Sequence, residues 1–455
     1  MRKRRSPSAS ASAVFRSIRS FVEEHDTLSA VVAGSIVFRL FYENSEFGFV
    51  SNLTSVSRIQ EGLRFSSVAD AVYVSNQPPL VLLFYDSVLS CLPLSLFNIL
   101  CDAAGSLALF ELCRLNLQHE SLVEEPIERV MDERIRPPKI LNRLDNTNWK
   151  LLVAAAYFVN PLSTAVPSTQ PLSNFLVLLS IMFALRPSRN IPASMSVLAL
   201  ATYVTWWPIG LLAPLLCCLS QPADPPESSN PSPSSRRPKL APAGTVILGL
   251  TAFASAMGLL LAVSSWTVSP SHPTSWEWIH HSYYHWATFQ DLTPNVGLYW
   301  YFFAQIFSRF RTYFLVTFNV LPFLLVAPIL IRLKEIPVAA IVSLVSLFNI
   351  LAPYPTFGSV TFSFLLMLSC PRSVVRLRFI SMFCLIALPV PSVLLVAFWR
   401  LWAIKESGNG NYVYFQQLAY TVFAGLIALD FLSASVSRIK ALKLTRKPAA
   451  KLKTS

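Results

Sequence analysis

Four groups of residues in this 455-residue chain could do chemistry. Glu43-Asn-Ser-Glu46 sets two carboxylates three apart, which at a helix end puts them on one face. Such a pair could take a proton from a hydroxyl nucleophile or help to hold a metal, and Glu61 and Asp70 lie farther along the same stretch. The spacing is not Asp-x-Asp, so plain interfacial carboxylates are the competing reading. His280, His281 and His285 form the second group. On a helix, His281 and His285 fall four apart and could ligate a metal. Ser282 stands where a zinc protease carries Glu, which favours amphipathic histidines among aromatics. The third group is Gly408-Asn-Gly-Asn411. Its side-chain amides both donate and accept, which suits a hydroxyl-rich or phosphate-bearing headgroup. A simple turn is the alternative, because Asn and Gly adopt positive φ readily. The fourth group is the ionisable residues inside apolar runs, Arg39, Asp86, Asp102 and Asp430. There is no Gly-x-Ser-x-Gly elbow, no glycine-rich phosphate loop and no Cys–His pair on one side. The seven cysteines lack CxxC spacing and lie in or beside apolar runs, as small buried thiols do.

The elements that must position these groups are membrane helices. The chain is 53% hydrophobic and 13% charged, with mean hydropathy +0.49. A soluble domain carries about twice that charge. The apolar runs predict an all-α, polytopic transmembrane helix bundle of about 12 spans. They fall near residues 27–43, 95–113, 149–166, 171–185, 194–206, 208–219, 243–266, 311–331, 336–352, 357–370, 379–402 and 412–436. The 33 prolines are tolerable there, because neighbouring helices and lined cavities satisfy freed backbone groups. The net charge of +13 sits in short flanks between apolar runs and forms no continuous stripe, which excludes a nucleic-acid partner. No apolar h-region follows the basic start Arg2-Lys-Arg-Arg5, so no cleaved signal peptide is expected.

Charge fixes the expected orientation. From Thr267 to Ser308 there is no Lys or Arg, while Trp276, Trp278, Tyr283, Tyr284, Trp286, Tyr299, Trp300 and Tyr301 crowd the segment. That pattern reads as a non-cytosolic loop with rings at headgroup depth. Assigned cytosolic flanks hold 29 of the 37 basic residues, and the opposite loops hold Arg58, Arg64 and Lys405. The bundle therefore occupies 27–436, between a basic N-terminus, 1–26, and a basic tail, 437–455, both cytosolic. Loops 44–94 and 267–308 face the other side, and loops 114–148 and 220–242 the cytosol. Pro78 to Pro93 and 297–308 are expected to be re-entrant or interfacial. The mixed charges Glu124, Glu125, Glu128, Arg129, Asp132, Glu133 and Arg134 suggest a short surface helix or a solvated connector, and 220–239 a Pro/Ser linker. Asn52-Leu-Thr54 is a glycosylation sequon on the permitted face. Lys451 and Lys453 are placed as in a dilysine retrieval signal of the endoplasmic reticulum. Asn160-Pro161 and Pro353-Tyr-Pro-Thr356 break spans at the non-cytosolic side, outlining an irregular polar rim.

At this level of detail the chain resembles the PIG-U family, the U subunit of the GPI transamidase complex. The strongest match is Asp291-Leu-Thr-Pro-Asn-Val-Gly-Leu-Tyr-Trp-Tyr-Phe-Phe-Ala-Gln305. Leu200-Ala-Thr-Tyr203, Arg332-Leu-Lys-Glu335, Tyr354-Pro-Thr-Phe-Gly358, Glu61-Gly-Leu63 and Gln77-Pro-Pro-Leu80 follow, with Asn409 and Asn411 after Trp399 and Trp402. The family's Ser-Pro-Tyr-Ser-Gly stretch reads Ala-Asp-Ala-Val-Tyr73 here. The resemblance implies a scaffold similar to C-type membrane glycosyltransferases without their catalytic carboxylates. It also implies residence in the endoplasmic reticulum membrane beside the catalytic K subunit and the T, S and GPAA subunits. The implied role is a non-catalytic one, binding the GPI glycolipid within the membrane lipid. Candidate contacts are Asp291, Asn295, Tyr354, Asn409 and Asn411; no cofactor or metal is implied. The rival reading is a dolichol-phosphate-mannose-dependent mannosyltransferase using Glu43 or Glu46. A transporter would need an inverted repeat, and none is seen.

Overall fold

The computed structural model describes residues 32–37, 54–129, 131, 149–160, 168–186, 188–220, 242–269 and 276–452. These are helices and turns with no strand among them, apart from one isolated bridge between Ser55 and Ser168. Residues 32–37 are helical. The following helices are α1 Val56–Gly62, α2 Val68–Ser75, α3 Pro79–Cys91, α4 Leu94–Arg129, α5 Trp149–Val159, α6 Gln170–Leu185 and α7 Ile191–Val204. A 3-10 turn, Trp207–Leu211, leads into α8 Leu212–Ser220, and then comes α9 Pro242–Val268. Next is α10 Glu277–Ile279, continued by a π-helical turn at His280–Tyr284, then α11 His285–Ala287 and α12 Tyr299–Gln305. The last third comprises α13 Ser308–Leu324, α14 Val326–Leu333, α15 Pro337–Ile350, α16 Phe357–Met367, α17 Pro371–Val374, α18 Phe379–Ala387, α19 Pro389–Trp399 and α20 Gly410–Leu452.

Among the described residues, five helical stretches are long and apolar enough to cross a membrane: Leu94–Ser121, Ala243–Val268, Ser308–Leu333, Phe379–Ile404 and Gly410–Thr445. Shorter apolar helices fill the space between them. α15 is the hub, buried on nearly every face by α8, α14, α16 and α20. α4 packs on α5 and α6, and α7 on α6 and α9. Many prolines sit where the missing N–H costs nothing, in the first turns of α3, α6, α7, α15, α17 and α19. Pro322 lies inside α13, and the helix breaks at Leu325 before resuming as α14.

Apolar faces alone do not pair helices in lipid, so hydroxyls and amides set the registers. Ser180 and Ser194 each donate to the other's carbonyl, at 3.0 and 2.9 Å, locking α6 on α7. Asn349 of α15 donates to the Ser359 carbonyl at 3.0 Å and to the Ser363 hydroxyl at 2.8 Å, both on α16. Tyr203 joins two matched motifs: its hydroxyl accepts from the Leu80 amide at 3.1 Å and meets Ser264 at 2.5 Å.

One expectation from the sequence needs correction. Residues 114–129 are no short surface helix or solvated connector, since α4 runs unbroken to Arg129, and residues 132–148 lie outside the described ones. Glu120 and Glu124 are buried because Arg438 of α20 answers them. Its guanidinium lies 2.5 Å from Glu124 and 3.0 Å from Glu120, and Arg372 of α17 lies 2.5 Å from Glu128. Buried charge persists only with such compensation. The last helix also passes residue 436 and continues to Leu452. Among the thiols, Cys101, Cys113, Cys218, Cys370 and Cys384 are buried, whereas Cys91 is exposed; all seven are free.

Candidate functional site

The matched block begins as two consecutive side-chain turns. The Asp291 carboxylate accepts from the Thr293 amide at 2.9 Å and the Thr293 hydroxyl at 2.6 Å. The Asn295 side-chain oxygen then accepts from the Gly297 amide at 2.7 Å. Asp and Asn favour such turns because their short side chains bond backbone two residues on. Glycine is required at 297, since a Cβ there would lie 2.6 Å from Cδ of Pro355. Two distant elements seal the turn: Arg58 of α1 pairs with Asp291 at 2.5 Å, and the Tyr354 hydroxyl donates to the Asp291 carbonyl at 3.0 Å.

α12 then carries Trp300 and Tyr301 to α20. Gln417, fully buried, accepts from the Trp300 indole N–H at 3.0 Å and donates to the Asn295 carbonyl. Trp300 stacks on Trp402, with ring centroids 6.1 Å apart, and Tyr301 stacks on Tyr414 at 4.3 Å. The Tyr301 hydroxyl also donates to the side-chain oxygen of Asn411. From Arg400 to Asn411 the chain turns through a π-helical segment, Arg400–Ile404, and Gly408 at φ 119°. Gly410 permits the turn to close, for a Cβ there would press on the Trp402 ring at 3.2 Å. The Asn409 side-chain oxygen accepts from the Asn411 amide at 3.0 Å, fixing the first turn of α20.

The five candidates thus meet in one network, in two roles. Asp291, Asn295 and Tyr354 hold the scaffold, and their polar atoms engage other protein groups. Asn409 and Asn411 are exposed, and their side-chain N–H groups meet no partner among the described residues. Sequence reasoning missed Arg58, Trp300, Tyr301 and Gln417 as parts of the network. Arg58 had one available signal, as one of three basic residues on its side of the chain. Glu43, Glu46, Asn52, Arg39 and Lys453 lie outside the described residues, and Lys451 falls in the last turn of α20.

The electrostatics of the turn follow from its hydrogen bonds. Burial raises the Asp291 carboxyl, but the Thr293 hydroxyl and amide and the Arg58 guanidinium outweigh it and hold the pKa below the ordinary 3.8. The histidine run forms no metal-ligand set. The π-helical turn separates the rings: His281 meets Tyr73 edge-on at 4.8 Å, His280 meets Tyr284 at 4.7 Å, and Nδ1 of His285 lies 3.0 Å from Gln290. Burial also pushes the His285 pKa down. Among the described residues no three His, Cys, Asp or Glu side chains converge on one point. The intramembrane acids serve the fold or the surface. Asp430 is buried, capping α18 by accepting from the Arg378 amide at 2.8 Å and the Ser381 hydroxyl at 2.6 Å. Asp102 is buried within α4, and Asp86 is exposed on α3. The aromatic segment differs from a simple headgroup belt. Trp278, Trp286, Phe289, Trp300 and Phe303 are buried against neighbouring rings, and Trp276 and Tyr284 alone among the named rings stand largely exposed. What the arrangement offers a ligand is an exposed, rigidly mounted pair of amides.

Comparison with known proteins follows the same geometry. The family model described as GPI transamidase subunit PIG-U matches residues 30–420. The GPI-anchor transamidase component PIGU of Homo sapiens is 28% identical over 408 residues, 86% of this chain and 87% of its own. The GPI transamidase component GAB1 of Saccharomyces cerevisiae is 27% identical over 388 residues, 84% of this chain and 85% of its own. A GAB1 homolog of Schizosaccharomyces pombe reaches 35% identity over 144 residues, 32% of this chain and 35% of its own. With the match extending from the first helix across the rim to α20, the chain belongs to the PIG-U family.

Proposed function

We propose that this chain is a GPI transamidase subunit that binds the GPI glycolipid and presents it for attachment to proproteins, itself making and breaking no bonds. The observation that carries the reading is the exposed Asn409–Asn411 turn, mounted on Tyr301 and braced through Trp300 and Gln417. Sugars and phosphate need donors and acceptors at fixed positions, and acyl chains need only apolar walls. Here the amides stand at the N-terminal end of α20, beside the exposed apolar side chains Leu401, Ile404, Tyr412 and Phe415. The only carboxylate in the network, Asp291, is engaged by Arg58 and Thr293, which suits scaffolding better than proton transfer.

The rest of the proposal follows from that role. The chain resides in the endoplasmic reticulum membrane with both termini in the cytosol, and its partners are the catalytic K subunit and the T, S and GPAA subunits. The rim faces the lumen. The apolar run near 27–43 and six of the shorter apolar helices join the five long ones in about twelve spans, with Pro79–Cys91 re-entrant, on a scaffold similar to C-type glycosyltransferases. A 14-residue helix covers about 21 Å, so the shorter segments complete the roughly 30 Å of hydrocarbon with irregular backbone packed inside the protein. The test replaces Asn409 and Asn411 by Ala and reads surface display of GPI-anchored reporters at normal protein abundance. Display should drop severalfold, with complete GPI and uncleaved proprotein accumulating. Undiminished display rejects the contact, and accumulation of GPI precursors lacking a mannose rejects the role.

A further inference from the structure

At the opposite end of α20 lies a second site-like feature. α14 and α20 frame an open cleft of about 370 Å³. On α14 it is lined by Pro328, Ile331 and Arg332, spaced i, i+3, i+4, and on α20 by Val436, Ile439, Lys440 and Lys443, spaced i, i+3, i+4, i+7. One face of each helix therefore carries apolar residues that give way to cations within a single turn. Ile331 is 73% exposed, so the apolar wall is open to its surroundings. Lys443 is engaged by Glu335 at 3.0 Å. Arg332 and Lys440 are exposed, and among the described residues no carboxylate pairs with either. Lys440 lies 29 positions beyond Asn411 on one helix, about 44 Å away, so the cleft and the amide rim belong to opposite faces of the bundle.

We propose that this cleft binds an anionic phospholipid of the leaflet opposite the amide rim. Its phosphate sits between Arg332 and Lys440, and an acyl chain runs along Pro328, Ile331 and Val436. Two unpaired cations match one phosphate diester with a further acidic or hydroxyl headgroup group. The contiguous apolar wall selects a lipid over a free anion, which would leave Ile331 without a partner. Basic pockets between membrane helices recognise lipid in this way, each basic side chain near an anionic surface strengthening binding about five-fold.

Native mass spectrometry of the full chain, purified with the subunits that accompany it, tests the proposal. Phosphatidylserine and phosphatidylinositol are titrated against phosphatidylcholine, with inorganic phosphate as the free-anion arm. The wild type should retain the anionic lipids selectively. Arg332→Gln with Lys440→Gln should weaken that retention about 30-fold, Lys440→Gln alone about five-fold, and phosphatidylcholine adducts should not change. Both side chains are exposed, so the fold does not depend on them. A matched loss of charge elsewhere, Arg64→Gln with Lys405→Gln, should leave retention intact. Equal retention of anionic and zwitterionic lipid overturns the proposal. So does an equal loss in both double variants, or displacement of the lipid by millimolar inorganic phosphate.

Discussion

Gln417 is the residue whose replacement is most informative about how the rim is held. It is fully buried, accepts from the Trp300 indole N–H and donates to the Asn295 carbonyl. Gln417→Leu keeps the approximate volume and removes both bonds, stranding one donor and one acceptor away from water. Each stranded group costs about 1–3 kcal/mol, so the pair costs about 2–6 kcal/mol. The added apolar surface returns on the order of 1 kcal/mol. Denaturant unfolding of the purified chain in micelles, followed by circular dichroism, should show the midpoint falling at unchanged m value. Trp300→Phe removes the stranded donor, so the double variant should be less unstable than the two single losses summed, by about 1–3 kcal/mol. A Gln417→Leu chain within about 0.5 kcal/mol of wild type, or strict additivity with Trp300→Phe, would refute the assignment of Gln417 as the clasp between α12 and α20.

Three further outcomes follow from the geometry. Gly297→Ala should destabilise the chain by about 1–3 kcal/mol, read in the same unfolding assay, because its Cβ would lie 2.6 Å from the Pro355 ring, which has no rotamer to yield. Asp291 has a folded pKa below its unfolded value, so the unfolded state binds more protons between the two. Its stabilisation is therefore present above about pH 4 and is lost as pH falls through the lower folded value. A pH series should show the wild type losing its advantage over Asp291→Asn in that window. Arg438→Met should cost about 3–5 kcal/mol by leaving Glu124 without its counter-charge and Glu120 with only Arg372, 3.8 Å away. Adding Glu120→Gln and Glu124→Gln to that variant should recover much of the loss, measured by the same denaturant midpoint.

Local pattern in the sequence was enough for the helical class, for the positions of most apolar helices and for the aromatic, Lys- and Arg-free stretch. Pattern also picked out the Asn409–Asn411 turn, and the family resemblance added Asp291, Asn295 and Tyr354, which the fold gathers with it into one network. What it could not supply was pairing across the chain. Arg58 and Asp291 are 233 residues apart, and Glu124 and Arg438 are 314 apart. Spacing rules see neighbours on one helix face, so Glu124 looked like a solvated charge and Gln417 drew no reading at all. The histidine run shows a related limit of spacing. Four-residue spacing promises a shared face on an α-helix, and the π-helical turn at His280–Tyr284 changes the phase. The long helices were cut short because hydropathy ends where charge begins, while the backbone continues wherever the charges find partners.

The last helix has a consequence for how the molecule tolerates change. Gln417 and Arg438 are 21 residues apart on α20, about 32 Å, close to the hydrocarbon thickness of a bilayer. The helix is thus a ruler pinned at both marks, by Asn295 and Trp300 above and by Glu120 and Glu124 below. One inserted residue between the marks would twist one fastening by about 100° against the other and lengthen the span by about 1.5 Å. Substitutions on its lipid-facing side are absorbed locally, but insertions or deletions between the pins are not. The interval between Gln417 and Arg438 should therefore drift in composition while holding its length.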